Sequence, residues 1–319
     1  MKYTTTFAAG LVFAVAGCNP GQEGAPMPTV DGHDAMVHVR ELVGLGPRVS
    51  GTPGAERAAG HLEAAAQKLD WQVTVDEWSE QTDHGEVTFR NVHAVLPGRG
   101  KDFVLLASHY DTKYLPDIPD FQGANDSGSS TGLLLALMKV LAENPPRQTV
   151  ECVFFDGEES RRQYTSGDGL HGSRRFVRRL TRENRLVHCR AMILMDMIGD
   201  RDLQVNFPPS SSDTLVRQAF DIAERQGVRD AFGYRTKGDI LDDHTPFAKK
   251  GVRCINFIDF NFGPENAYWH TRHDTLEKLD PQSLQTVGNV VLEMVYELAG
   301  KPEPGNVRHD AGDQRRAGR

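Results

Sequence analysis

The strongest constraint on the fold is a set of short, almost wholly apolar runs at 103–107, 150–155, 191–195 and 253–258. A strand with one wet face alternates apolar and polar residues, whereas one that is apolar nearly throughout is covered on both faces. Helical spacing of apolar residues at 34–43, 55–69, 173–182, 213–226 and 281–298 supplies the covering elements. Further strand-like runs lie at 72–75, 87–96 and 203–207, and a strongly apolar helix is expected over 127–142, stopped by Pro145-Pro146. The alternation predicts an α/β fold, a three-layer αβα sandwich around a central mixed, mostly parallel sheet. One domain over 31–300 accommodates all of it, and no internal repeat interrupts it.

The ends read differently. Lys2 precedes an apolar run at 7–16, too short to span a bilayer but suited to a signal-peptide core. The run closes with Val15-Ala16-Gly17-Cys18, which resembles the lipobox of bacterial lipoproteins. We therefore expect a signal peptide over 1–17, lipidation of Cys18, and a Gly- and Pro-rich tether over 18–30. The expected location is the cell envelope, periplasmic or outer-membrane, with the lipid as the only membrane contact and the chain a monomer. Residues 301–319 are polar and rich in Gly and Pro, which predicts a disordered tail.

A net charge of -8 and the lack of a basic cluster interleaved with aromatics argue against nucleic acid as a partner. The basic stretch Arg174-Arg175-Phe176-Val177-Arg178-Arg179 reads as one solvated helix face. Cys152, Cys189 and Cys254 each lie in or beside a strand-like run, which suits buried free thiols better than disulfides or a thiolate metal site.

Chemistry gathers where the apolar runs end. The run at 150–155 leads into Asp156-Gly157-Glu158-Glu159. Neighbouring residues at a strand exit point different ways, so one acid can hold a metal while the other carries a proton. The run at 103–107 leads into Ser108-His109-Tyr110-Asp111, where His109 offers a ligand and Asp111 an orienting carboxylate. Asp196 closes the run at 191–195, and a carboxylate there is costly unless paired. Asp126 opens the apolar helix, where helix capping alone would explain it. His270, in the loop Tyr268-Trp269-His270-Thr271, follows the last strand. Imidazoles and carboxylates without thiolates suit catalytic zinc with an open coordination position.

Taken together, these residues resemble the zinc aminopeptidase superfamily, peptidase family M28, and within it the glutaminyl cyclases, over nearly the whole domain. The family's ligand pattern is matched by His109, Asp126, Glu159, Asp196 and His270, with Glu158 in the place of the general base. His109-Tyr110-Asp111-Thr112-Lys113-Tyr114 is similar to the cyclase form His-Tyr-Asp-Ser-Lys-Tyr, and the segment 168–174 also resembles the cyclases. Leu241-Asp242-Asp243-His244-Thr245-Pro246-Phe247 carries the cyclase double Asp, where aminopeptidases usually have a small residue in the place of Asp242. Trp269 resembles a cyclase pocket wall. There are departures: animal cyclases have Trp at the position of Tyr164, His at that of Asn256, and a disulfide near the site with no counterpart here.

The resemblance implies a zinc-dependent glutaminyl-peptide cyclotransferase acting on peptides or proteins with a free N-terminus. One zinc would be held by Asp126, Glu159 and His270, with Glu158 as proton shuttle, Asp242 binding the leaving nitrogen and Asp196 sharing a proton with it. Trp269, Tyr164 and Lys113 would contact substrate. The alternative is a two-zinc aminopeptidase in which His109 and Asp196 complete the second site. A non-catalytic peptide-binding lipoprotein is a third reading, opposed by the intact ligands and Glu158.

Overall fold

The computed structural model describes residues 27–236 and 238–302. The expected signal peptide, Cys18, most of the tether and almost all of the tail lie outside these residues. In chain order the helices are α1 (Gly32–Gly44), α2 (Pro53–Lys68), α3 (Ser130–Glu143), α4 (His171–Arg182), α5 (Asp213–Arg225), α6 (His244–Ala248) and α7 (Pro281–Ala299). The strands are β1 (Gln72–Thr82), β2 (Gly85–Leu96), β3 (Phe103–His109), β4 (Thr149–Phe155), β5 (Cys189–Asp196), β6 (Val205–Phe207), β7 (Phe232–Arg235) and β8 (Cys254–Ile258).

The strands form one eight-stranded sheet in the order β1-β2-β4-β3-β5-β8-β6-β7. The centre, β4-β3-β5-β8, is parallel, as is β6-β7, while the joins β1-β2, β2-β4 and β6-β8 are antiparallel. The mixed, mostly parallel αβα expectation therefore holds. Strand residues alternate between two cores. Val104, Leu106, Cys152, Phe154, Ile193, Met195 and Phe257 join the large core beneath α1, α2, α3, α5 and α7. Leu105, Ala107, Val153, Phe155, Met192 and Leu194 meet Phe176, Leu180 and Phe247 of α4 and α6 on the other face. Each such Val, Leu, Ile, Met or Phe side chain fully buried contributes about 1.5–3 kcal/mol, which is why the central strands are apolar at most positions.

Local chemistry sets the helix ends. The Asp31 carboxylate accepts from His33 N–H at α1, Thr52 caps α2 ahead of Pro53, and Asp280 caps α7 ahead of Pro281. Cys152, Cys189 and Cys254 are free and buried, as expected.

Several expectations need correction. β1 runs to Thr82 rather than ending at 75, pairing with β2 throughout. The short β7 and α6 fall outside the elements that the sequence predicts. α3 starts at Ser130, after an irregular turn over Ala124–Ser129, so Asp126 is not its cap: its backbone is non-helical and its carboxylate faces two imidazoles instead. The basic face of α4 is only partly solvated. Arg175 makes two bonds to Asp76, Arg174 donates to the Thr165 and Ser166 carbonyls, and Arg179 donates to His93.

Candidate metal centre and active-site cavity

Because β4, β3, β5 and β8 run parallel side by side, their carboxyl ends open on one edge of the sheet, the usual site location in such folds. His109 ends β3, Glu158 and Glu159 follow β4, Asp196 ends β5, and the chain after β8 delivers Trp269 and His270. Gly157 makes the turn into the glutamate pair: its φ is +73°, and a Cβ there would meet the Phe89 ring at 2.6 Å.

Two clusters form around one shared carboxylate. His109 Nε2 lies 3.3 Å from Asp126 Oδ1 and 3.3 Å from Asp196 Oδ1. His270 Nε2 lies 3.1 Å from Asp126 Oδ2 and 3.1 Å from Glu159 Oε1. Within each set, His109-Asp126-Asp196 and Asp126-Glu159-His270, the ligand atoms lie within 4.8 Å of one another. All five residues expected to converge do so.

The supports around these clusters are polar and buried. Asp111 accepts from the backbone N–H groups of Glu158 (3.2 Å) and Glu159 (3.1 Å), fixing the pair. Its Oδ1 is 3.5 Å from His109 Nδ1, too long for the orienting bond expected of it. Asp274 accepts from Asn125 N–H (2.7 Å) and Asp126 N–H (3.2 Å). Arg48, fully buried, donates to the carbonyls of Tyr110, Gln122 and Gly123 at 2.8–2.9 Å, tying β3's exit to the turn that carries Asp126. Burial lowers the Arg48 guanidinium to about 10, against the pull of Asp274, Asp111 and Asp126. Arg48 and Asp274 are not among the residues that the sequence singles out. The placing of Asp274 four residues beyond His270 is the one available signal.

The clusters open into a cavity of about 290 Å³ walled by Glu158, Tyr164, Leu241, Asp242, Phe260 and Trp269, with Asp126, Glu159, Asp196 and His270 of the clusters facing it. Trp269 stacks on His270, with centroids 4.0 Å apart, and packs against Phe260 at 4.9 Å. Tyr164 is 37% exposed, yet its hydroxyl reaches inward and donates to Glu158 Oε1 at 2.9 Å and Oε2 at 3.1 Å. Asp242 is buried, and its Oδ2 accepts from Asn256 Nδ2 at 2.7 Å. No hydrogen bond joins Asp242 to Asp196 among the described residues, so the proton expected between them has no direct bridge. Lys113 does not line the cavity. Its ammonium stands beside the Asp126-Glu159-His270 cluster, 3.3 Å from Glu159 Oε2 and 3.2 Å from Ser160 Oγ.

Electrostatics fit a cation. Burial pushes Glu158 well above the usual carboxylate range, with Asp242, Glu159 and Asp243 adding to it and His109 opposing. Burial, then Asp196, raises Asp242 to about 6. For His270, burial favours the neutral ring, but Glu159 and Asp126 outweigh it and raise the imidazole to about 10. His109 is likewise driven up by Asp111, Asp126 and Asp196 against burial. Each imidazole thus faces a demand for positive charge, while Glu159 Oε2 has the Lys113 ammonium beside it but no hydrogen bond. A divalent ion meets that demand by taking the imidazole lone pairs and the carboxylates together.

An αβα sheet whose carboxyl edge carries two His- and carboxylate-lined clusters able to hold a metal defines the class: an enzyme of the α/β type. The chain belongs to peptidase family M28, whose sequence profile matches residues 91–295. It is 29% identical over 284 residues to a glutaminyl-peptide cyclotransferase of Bos taurus, covering 78% of each chain. Its structure is similar to that of an Acidobacteriales bacterium glutaminyl cyclase, with TM-score 0.80 and 30% identity over 88% of this chain and 99% of that one. It also shares its fold with a Zn-dependent exopeptidase from Parabacteroides distasonis ATCC 8503, with TM-score 0.77 and 23% identity over 85% of this chain and 99% of the other.

Proposed function

We propose that this chain is a zinc-dependent glutaminyl-peptide cyclotransferase, closing the N-terminal glutamine of peptides or proteins to pyroglutamate with release of ammonia. The observation that carries the reading is Asp242, a buried cavity carboxylate that belongs to neither metal cluster and is oriented by Asn256. The glutamine side chain is a primary amide with two N–H groups on the leaving nitrogen, where a scissile peptide bond has one, and Asp242 supplies an acceptor for it. The similarity to the bovine and Acidobacteriales cyclases supports the same choice.

Asp126, Glu159 and His270 would hold the zinc, which supplies Lewis-acid polarisation of the glutamine side-chain carbonyl. In the reaction a bond forms between the substrate's α-amino nitrogen and its side-chain amide carbon. Glu158 accepts the proton that the amino nitrogen loses and returns it to the amide nitrogen, whose bond to carbon breaks as ammonia leaves. Such a shuttle contributes about 10²–10⁴-fold in rate. Tyr164 holds the Glu158 carboxylate through its hydroxyl, Asp242 accepts from the departing nitrogen, and Trp269 and Phe260 wall the pocket against water. Lys113, behind Glu159, holds that ligand rather than the substrate.

One observation favours a second reading. Asp126 presents one oxygen to each imidazole, as the shared ligand of a two-metal aminopeptidase would, with Glu158 then activating water. Incubating the zinc-loaded protein with Gln-initiated and Leu-initiated peptides separates the two. We expect ammonia release and ring closure from Gln; free leucine without cyclisation would overturn the choice.

The proposal extends to placement, with the catalytic domain a monomer tethered to the cell envelope by lipid on Cys18. Cys18→Ser should move the enzyme from the membrane to the soluble envelope fraction, and an unchanged membrane fraction would remove the anchor.

A further inference from the structure

We infer that the cavity mouth favours substrates carrying lysine or arginine directly after the N-terminal glutamine, and that Asp239 is the residue that reads that cation. The inference rests on the cyclotransferase reading and deepens it.

The lining divides into two zones. Glu158 and Asp242 are 5% and 2% exposed and belong to the floor, with the metal ligands. Asp239 is exposed, and Leu241 and Phe260 are exposed at 41% and 37%, so these form the mouth. An N-terminal glutamine bound on the floor sends the chain outward across that mouth, where the next side chain lies.

Asp239 is set in place before any substrate arrives. It accepts from the Ser210 N–H at 3.0 Å and from the Ser210 hydroxyl at 2.6 Å. That hydroxyl, its proton committed to Asp239, accepts in turn from His244 Nε2 at 2.7 Å. His244 is buried and its Nδ1 has no hydrogen-bond partner, in keeping with a neutral ring protonated at Nε2. The relay fixes a carboxylate at a solvent-exposed rim, where preorganisation lowers the ordering cost of binding. Burial alone would raise Asp239, but the Ser210 bonds outweigh it and hold it below the usual range, so it is charged at neutral pH.

The surroundings are acidic. Among the described residues the lining holds Asp126, Glu158, Glu159, Asp196, Asp239 and Asp242 against His270, and no Lys or Arg. A dication among its ligands would offset two of these charges and leave Asp239 without a counter-ion among the described residues of the lining. Beside it, Ile240, Leu241 and Phe260 offer apolar surface. A long aliphatic stem ending in a cation satisfies both features, stem along Leu241 and Phe260 and head at Asp239. A short apolar side chain uses only the shelf, and an acidic one meets like charge.

The pair is solvent-exposed, so the expected effect is small and measurable, roughly two- to fivefold in kcat/KM. The test compares cyclisation of Gln-Lys-, Gln-Ala- and Gln-Glu-initiated peptides by the zinc-loaded full chain and by Asp239→Asn, which can keep the bond to Ser210. For the wild type we expect Lys above Ala above Glu, with the spread reduced by added salt. In Asp239→Asn the Lys/Ala and Lys/Glu ratios should each fall towards one. Were the variant to cyclise all three peptides with the wild-type ratios, Asp239 would not read the second residue. Were the wild type to cyclise no Gln peptide at all, the underlying cyclotransferase reading would fail first. A purely structural role for Asp239 would change all three rates together and leave the ratios alone, which also overturns the inference.

Discussion

Removing one oxygen from the cavity, Tyr164→Phe, tests how Glu158 is kept ready to act. Tyr164 is the one side chain that donates to the Glu158 oxygens among the described residues, and it donates to both. Burial raises Glu158 well above its ordinary range, so the carboxylate depends on that donor to stay ionised and aimed. A hydrogen bond to a charged group is worth about 1.5–3 kcal/mol. Losing it should cost roughly ten- to a hundredfold in kcat near pH 7. The sign with pH follows: a protonated Glu158 cannot accept a proton, and its ionised form returns as pH rises. The deficit should therefore shrink as pH rises above neutrality. Both proteins keep the same candidate metal ligands, so the comparison isolates the hydroxyl. The assay is ammonia release from a Gln-initiated peptide, with kcat and KM separated at each pH. A variant within about twofold of the wild type in kcat at pH 7, or a deficit that falls on KM alone, would refute the reasoning, because Tyr164 would then be only a wall.

Glu158→Gln should abolish turnover while zinc content, read by metal analysis of the purified protein, stays at the wild-type level; retained activity would remove the shuttle. Asp168→Asn tests the loop that presents Tyr164. Burial tends to raise Asp168, but its bonds to His84 and to the backbone N–H groups of Arg161, Arg162 and Gln163 outweigh this and hold it at about 2. A carboxyl depressed on folding contributes stability above its unfolded pKa and loses it as pH falls through the folded one. Wild type should exceed Asp168→Asn by about 2 kcal/mol in urea unfolding at pH 7, with the gap narrowing between about pH 4 and 2. A gap of equal size at about pH 3 and pH 7 would contradict that account.

The sheet and most of the site could be read from the chain because both follow from local rules. A central strand must be apolar on both faces, so an acid at its end, as at Asp196 or Glu158-Glu159, stands out against the pattern. The capping rule misled at Asp126 because an acid ahead of an apolar helix has the same appearance whether it caps or ligates. Only the added turn before Ser130 separates the two. β7 has four residues of which only Phe232 is buried, and α6 has five with Pro246 among them, so neither carries a period long enough to detect. Arg48 and Asp274 act on backbone carbonyls and amides of segments distant in sequence, and no spacing rule encodes such partners. Lys113 sits in a motif beside His109, but which side of Glu159 it approaches is a tertiary fact.

The crowding of carboxylates at one sheet edge explains why Glu158 is the group that moves protons. Each neighbour has its charge met in another way. Asp126 faces two imidazoles, and Asp111 and Asp274 take backbone N–H groups. Glu159 is backed by Lys113, and Asp242 is held by Asn256. Asp243 is fully buried and absent from the cavity lining, and burial, then Asp242, pushes its carboxyl well above the usual range. Glu158 alone combines a strongly raised proton affinity with a place in the lining, and only a phenol steadies it. A base so placed can gain a proton and release it without breaking an ion pair, which a shuttle between two substrate nitrogens requires.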